Sequence, residues 1–288
     1  MMRNTWSMVL TLALVMAGSA AWAAKPSPTR MITYKTVGDV ELKLHVFEPA
    51  GHKAGDKTPA IVFYFGGGWV GGSPSQFYPH CAYLASRGMW AAAAEYRVSS
   101  RNKTTPIECV KDGKSAIRYV RAHASQLGID PDKLAAGGGS AGGHVAAATA
   151  TVTAFNEDSD DTSISAVPNT LVLFNPVYDN SDKGYGYSRV KDYWQKISPM
   201  HNIEKGMPPA IVFLGREDKL IPVATAEAFK QKMLDVGSRS ELHLYDGAPH
   251  GFFNQSKFGG KFYRDTVYKM DVFLTSLGYL SGEPTIKP

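Results

Sequence analysis

The stretch Leu134-Ala135-Ala136-Gly137-Gly138-Gly139-Ser140-Ala141-Gly142-Gly143-His144 decides how this chain is read. A short apolar run ends in glycines, a serine follows, and residues 142–153 are rich in alanine. The pattern predicts a strand over 134–137 and a helix over 142–153, joined by a turn so sharp that Ser140 sits in strained backbone. Glycine at 138 and 142, two residues either side of the serine, removes the Cβ atoms that would collide there. The hydroxyl is held clear of the surface at a helix N-terminus, where backbone dipoles favour developing negative charge. Gly-x-Ser-x-Gly alone is common by chance. The strand–turn–helix setting, with five glycines in the seven residues 137–143, makes it specific.

Working outward, strand-like and helix-like segments alternate. Residues 31–34 and 40–47 read as a hairpin turned at Gly38-Asp39, and 60–65 is a continuous apolar run of the kind a strand buried on both faces needs. Helices are predicted over 78–87, 106–127, 223–236 and 262–277, and strands over 90–96, 170–175, 210–214 and 241–245. Residues 156–165, acidic and polar, read as an exposed loop without chemistry. Such alternation predicts an α/β fold, a mostly parallel central sheet of about eight strands with helices on both faces. Ligands in these sheets bind beyond the carboxyl ends of the strands, so candidate chemistry is sought just after each strand.

A serine hydroxyl needs a base to become a nucleophile. His250, in Asp246-Gly247-Ala248-Pro249-His250-Gly251-Phe252 directly after the last strand, is the candidate. The acid that fixes the imidazole tautomer should follow the preceding strand, which runs into Gly215-Arg216-Glu217-Asp218-Lys219. Asp218 is assigned, with Glu217 pointing elsewhere and Asp179 a distant third choice. His144, one turn into the helix after Ser140, reads as a packed residue rather than the base. An oxyanion needs donors, and Gly66-Gly67-Gly68-Trp69-Val70-Gly71-Gly72 follows the strand 60–65. The N–H groups of Gly67, Gly68 and Ala141 are the predicted hole. The histidines make no metal spacing, and neither a metal nor a cofactor is expected.

The 288-residue chain is 44% hydrophobic and 20% charged, too apolar for disorder and sufficient to bury a core without staples. Its net charge of +5 comes from 31 Lys and Arg scattered among 26 Asp and Glu, which argues for a solvated surface and against nucleic-acid binding. Residues 1–23 read as a secretory signal peptide: Arg3 is the only charge, 8–17 is apolar, and Ala21-Trp22-Ala23 is a cleavage signature. The apolar stretch is too short to span a bilayer, and no cysteine near the cut invites a lipid, so no membrane anchor is expected. The mature chain, 24–288, is expected as a single exported domain, periplasmic or secreted. In an oxidising compartment Cys81 and Cys109 could be bridged or remain two buried thiols, and both readings stand at this stage.

Taken together, Gly66-Gly67-Gly68-Trp69, Glu95-Tyr96-Arg97-Val98, Gly138-Gly139-Ser140-Ala141-Gly142-Gly143-His144, Gly215-x-x-Asp218 and His250-Gly251-Phe252 resemble the α/β-hydrolase superfamily. The likeness is closest to its exported esterase/lipase branch, related to hormone-sensitive-lipase-like and acetyl or feruloyl esterases. It implies a serine ester hydrolase with a Ser140–His250–Asp218 triad acting through an acyl-enzyme, and a structural role for Tyr96-Arg97. One departure is Phe65, where the family usually carries a histidine before the glycines. The helical N-terminal cap of hormone-sensitive-lipase-like enzymes has no chain to form it here, so no large cap is expected. Any lid must come from an insert at 179–206, whose Tyr185, Tyr187, Tyr193 and Trp194 suit sugar rings or an aromatic acyl group. Trp69, Tyr187 and Trp194 are the candidate substrate contacts, and a small-molecule or oligosaccharide ester is the expected partner. Two alternatives share the fold: a prolyl-oligopeptidase-type serine peptidase and a non-catalytic binding protein.

Overall fold

The computed structural model describes residues 26–288, and the expected signal peptide of 1–23 lies outside them. Eight strands form one sheet: β1 (Arg30–Val37), β2 (Val40–Phe47), β3 (Thr58–Tyr64), β4 (Trp90–Ala94), β5 (Ile129–Gly139), β6 (Thr170–Phe174), β7 (Ala210–Gly215) and β8 (Ser240–Tyr245). Their order across the sheet is β1-β2-β4-β3-β5-β6-β7-β8. The β1–β2 hairpin is antiparallel and joins β4 antiparallel, while all pairings from β4 to β8 are parallel. The helices are α1 (Tyr78–Ser86), α2 (Ser99–Asn102), α3 (Pro106–Ala122), α4 (Ala124–Leu127), α5 (Ala141–Thr151), α6 (Tyr187–Val190), α7 (Trp194–Ile197), α8 (Val223–Asp235) and α9 (Lys261–Ser276). This is the mostly parallel, two-sided α/β sheet that the alternation predicts. The helix predicted to run unbroken from 106 to 127 is instead interrupted at His123, and β5 begins five residues before the predicted strand.

Strand side chains point alternately to the two faces, and β3 shows what that does here. Ala60, Val62 and Tyr64 enter the core under α3, α5 and α8, whereas Ile61 and Phe63 enter the opposite core under α1 and α9. Both faces are dry, which is why the strand reads as a continuous apolar run. The same division separates the cysteines. Cys109 belongs to the first core and Cys81 to the second, and both are free buried thiols. The sheet stands between them, so the bridged reading is not realised.

Helix α3 starts where the sequence says it should. Thr105 caps it, Pro106 opens it, and Glu108 completes a capping box by accepting from the Thr105 N–H at 2.7 Å. Its buried Asp112 then anchors a charge cluster, accepting from Lys35 on β1 at 2.7 Å and from Arg97 at 2.7 Å. Arg97 also reaches Glu157 at 2.7 Å, as does Lys35. Asp160 pairs with Arg118 at 2.8 Å. Residues 156–165 are therefore not a plain exposed loop. Glu157 and Asp160 supply carboxylates to Lys35, Arg97, Lys111 and Arg118, four buried or half-buried bases of which Asp112 meets only the first two. Burial alone would raise the Glu157 pKa, but the Lys35 hydrogen bond and the charges of Lys35, Lys111 and Arg97 hold it down at about 2. Arg97 of the Tyr96-Arg97 pair is thus a structural residue.

The chain leaves β3 for β4 on one side, then returns past β3 to make β5 on the other. That reversal is the switch point of the sheet, and a crevice opens there beyond the carboxyl ends of the strands. The segment after β3 and the segment after β5, the two glycine-rich stretches, meet across it.

Candidate active site

Ser140 stands between β5 and α5 with φ 55° and ψ −121°, a conformation few non-glycine residues adopt. Crowding explains the flanking glycines. A Cβ on Gly138 would lie 2.3 Å from the Gly142 carbonyl oxygen, and one on Gly142 only 2.0 Å from that of Tyr64. The backbone of the turn is pinned as well: the Ser140 N–H donates to the Phe174 carbonyl at 3.0 Å. Its hydroxyl is 2.8 Å from His250 Nε2, and His250 Nδ1 is 2.7 Å from Asp218 Oδ2. Asp218 is an acceptor only, so Nδ1 carries the proton and Nε2 is left to accept from the serine. The other oxygen of Asp218 accepts from the backbone N–H groups of Leu220 (2.9 Å) and Ile221 (3.0 Å), and the side chain is wholly buried. Glu217 faces solvent.

Across the crevice, residues 66–72 curl over the serine. Gly67 has φ 135°, and its carbonyl accepts from the N–H groups of Val70 (3.0 Å) and Gly71 (3.2 Å). That fixes the Gly67–Gly68 peptide with its N–H side turned from the loop's own acceptors. Among the described residues the N–H groups of Gly67 and Gly68 have no acceptor, and that of Ala141 is the first of α5, which no helix can satisfy internally. Phe65, in place of the expected histidine, stacks on Tyr96 with ring centroids 4.2 Å apart, and the Tyr96 hydroxyl donates to the Phe65 carbonyl at 2.5 Å. An aromatic pair and a phenol thus brace the base of the loop.

Two amides complete the site. Gln76 accepts from the Gly66 N–H at 2.7 Å and donates to Asn254 Oδ1 at 3.0 Å, and Asn254 donates to the Gly251 carbonyl at 2.7 Å. The chain of amides ties the glycine loop to the histidine loop. Asn175, at the end of β6 with φ 33°, accepts from the Gly251 N–H at 3.0 Å, and its Nδ2 lies 3.4 Å from His250 Nε2. Sequence reading passed over both. Asn175 had a signal, an asparagine directly after a central strand, whereas nothing local marks Gln76, whose partners are 10 and 178 residues away.

The cavity over Ser140 has a volume of about 350 Å³. Besides the residues above, Val70, Leu220 and Phe253 line it, with Tyr185 and Arg189 from the insert. The expected substrate contacts are not where the sequence put them. Trp69 is only 2% exposed, since its ring fills the core beneath the loop against Gly186 and Tyr185. Its Nε1 donates to His144 Nδ1 at 3.3 Å, while His144 Nε2 bonds the Ile197 carbonyl at 3.0 Å. Burial holds the His144 pKa down at about 4, so this ring is neutral and structural. Trp194 packs edge-on against His201 and onto the small core of Val110, Val152 and Val190. Neither it nor Tyr187 reaches the cavity wall. Among the described residues no cluster of three or more His, Cys, Asp or Glu could hold a metal ion.

A nucleophile elbow at the switch point of this sheet, with a histidine and a buried aspartate in line, defines an α/β-hydrolase site. Residues 44–182 match the BD-FAE family model. Among solved structures, the apo form of Thermogutta terrifontis esterase 2 superposes with a TM-score of 0.86 at 44% identity, covering 90% of this chain and 98% of that one. The same esterase phosphoramylated by tabun gives 0.85 at 44%, covering 88% and 96%. Esterase LipC of Mycobacterium tuberculosis is 30% identical over 68% of this chain and 53% of its own length. The acetylxylan esterase of Xylanibacter ruminicola is 25% identical over 67% and 41%. The chain spans about half the length of the curated relatives it matches. It belongs to the esterase/lipase family of the α/β-hydrolases.

Proposed function

We propose that the protein is a serine carboxylic ester hydrolase that cleaves small acyl esters through a Ser140–His250–Asp218 triad. The observation that carries this reading is the continuous line from Ser140 Oγ through His250 to Asp218, with every bond at 2.8 Å or less. Ser140 Oγ attacks the acyl carbonyl as His250 Nε2 takes its proton, and Asp218 stabilises the imidazolium through Nδ1–H. The oxyanion accepts from the N–H groups of Gly67, Gly68 and Ala141. Collapse breaks the ester C–O bond, His250 returns the proton to the departing alcohol, and a water activated by the same histidine then releases the acid from Ser140.

A cavity of about 350 Å³ with Val70, Leu220 and Phe253 in its wall suits a short acyl group better than a long chain. Acetyl or feruloyl groups on carbohydrate fall within that class, and the likeness to an acetylxylan esterase supports the acetyl form. Of the insert's aromatic rings only Tyr185 lines the cavity, and Tyr187 and Trp194, which lie off it, lend the carbohydrate reading no support. We also read residues 1–23 as a signal for export, which N-terminal sequencing of the native protein checks by a start at Ala24.

The deciding experiment is a panel of p-nitrophenyl esters from acetate upward beside an aminoacyl-proline anilide. Short esters should be turned over, longer ones progressively less, and the anilide not at all. Ser140→Ala and His250→Ala should each lower kcat by about 10⁴ or more, and the double change little further, because the residues act as a unit. Anilide cleavage in preference to esters would point to a peptidase. Near-normal turnover in Ser140→Ala would overturn the mechanism.

A further inference from the structure

Among the described residues Arg189 is the one permanently charged side chain in the wall of the catalytic cavity, and no carboxylate joins it there. It reaches the cavity from α6 of the insert, lying 5.9 Å from the ring centroids of both Trp69 and Tyr185. Its Nη1 donates to the Gly68 carbonyl at 2.6 Å. Among the described residues it forms no ion pair, unlike the bases gathered around Asp112, Glu157 and Asp160. Two aromatic faces and one carbonyl therefore hold a guanidinium in place while its remaining donors stay free. Stabilising the fold does not require a cation at this point. A neutral donor would bind the Gly68 carbonyl equally well, and the rings would cover each other without it.

The same wall carries exposed hydrocarbon, with Val70 43% and Leu220 45% exposed. The cavity wall thus combines one fixed cation with exposed hydrocarbon. We propose that Arg189 is a specificity-determining residue that binds a carboxylate on the non-reacting part of the ester, so that the preferred substrates are anionic esters. This deepens the ester-hydrolase reading and rests on it. A planar guanidinium with donors to spare matches a carboxylate in two-point geometry, which a neutral amide of the same shape cannot reproduce.

The test compares esters alike except for charge. On the alcohol side, 4-acetoxybenzoate is set against 4-acetoxybenzamide. On the acyl side, the mono-p-nitrophenyl ester of adipic acid is set against that of adipic acid monoamide. The quantity read is the kcat/KM ratio of the anionic over the neutral member, and the pair that shows the preference places the carboxylate. The wild type should favour the anionic member of one pair, by a margin that shrinks as ionic strength rises. In Arg189→Gln, which keeps a donor for the Gly68 carbonyl, that ratio should fall by roughly 10- to 100-fold, the worth of a charge-assisted hydrogen bond. Arg189→Lys should restore part of it. An unchanged ratio in Arg189→Gln, with both members slowed alike, would show that Arg189 only props the glycine loop and would overturn the proposal. So would a wild type that shows no preference in either pair at low salt. Failure of the wild type to cleave even the neutral esters is a different result, which overturns the ester-hydrolase reading and the proposal with it.

Discussion

Replacing Asp218 by asparagine separates the electrostatic role of this residue from its structural one. The two oxygens of Asp218 have different tasks: one accepts from the Leu220 and Ile221 N–H groups at 2.9 and 3.0 Å, the other from His250 at 2.7 Å. In Asp218→Asn the amide oxygen can keep both backbone donors, so the loop and the melting temperature should hold within a few degrees. The amide nitrogen must then face His250 Nδ1, which can only accept from it. The imidazole proton moves to Nε2 and points at the Ser140 hydroxyl, so the base becomes a donor. The same exchange in serine enzymes of this geometry costs about 10⁴ in kcat, equivalent to about 5 kcal/mol of transition-state stabilisation. Asp218→Ala should be as slow and also less stable, because two buried N–H groups lose their acceptor at roughly 1–3 kcal/mol each. Initial rates on p-nitrophenyl acetate and thermal melts of the same preparations make the comparison, with Glu217→Gln as a near-silent control. If Asp218→Asn kept more than about a tenth of wild-type kcat, the histidine would be oriented by something else, and Asn175, 3.4 Å from Nε2, would be the next residue to change.

Gln76→Ala should remove the amide tie between the glycine loop and the histidine loop, lowering kcat by about tenfold with little change in KM, since oxyanion donors act on charge that the ground state lacks; steady-state kinetics on a short ester decide it. Glu157 has its pKa held at about 2, so the stability it contributes is present above about pH 4.5 and fades as pH falls from there toward 2. Melts from pH 7 to 3 should show Glu157→Gln less stable at neutrality and less sensitive to acid than the wild type. Tyr187→Ala and Trp194→Ala should leave KM for an acetylated oligosaccharide unchanged, and Trp194→Ala should lower the melting temperature by a few degrees through lost packing. A rise in KM in either variant would return these rings to the substrate site.

Features that local chemistry dictates were legible in the sequence. The Gly138-x-Ser140-x-Gly142 turn, the apolar run of β3, and the positions of Asp218 and His250 after their strands each follow from a backbone or burial rule that acts within a few residues. What stayed hidden depends on partners distant in the chain. Glu157 and Asp160 look like solvated acids until β1, α3 and Arg97 bring bases to them. Trp69 looks like a surface aromatic in a flexible loop, yet its indole N–H has a buried acceptor 75 residues away. Of the insert's aromatic group, Tyr185 reaches the cavity and Tyr187 and Trp194 do not, a distinction set by the path of short helices that periodicity does not define. Gln76 and Arg189 gave no local signal because each acts on a backbone carbonyl or N–H of another loop.

The Trp69–His144–Ile197 connection bears on how this scaffold can be re-engineered. Loops around α/β sheets are commonly exchanged to change substrate range, on the premise that the scaffold does not depend on them. Here the insert supplies the carbonyl that holds the His144 ring, and His144 sits one turn after Ser140 while also holding the indole under the glycine loop. A foreign lid spliced in at 179–206 without an acceptor at the place of Ile197 would leave a buried imidazole N–H unmatched, and the disturbance would reach the indole under the glycine loop before any new substrate did. Replacement loops should be selected first for restoring that one acceptor, and only then for the pocket they shape.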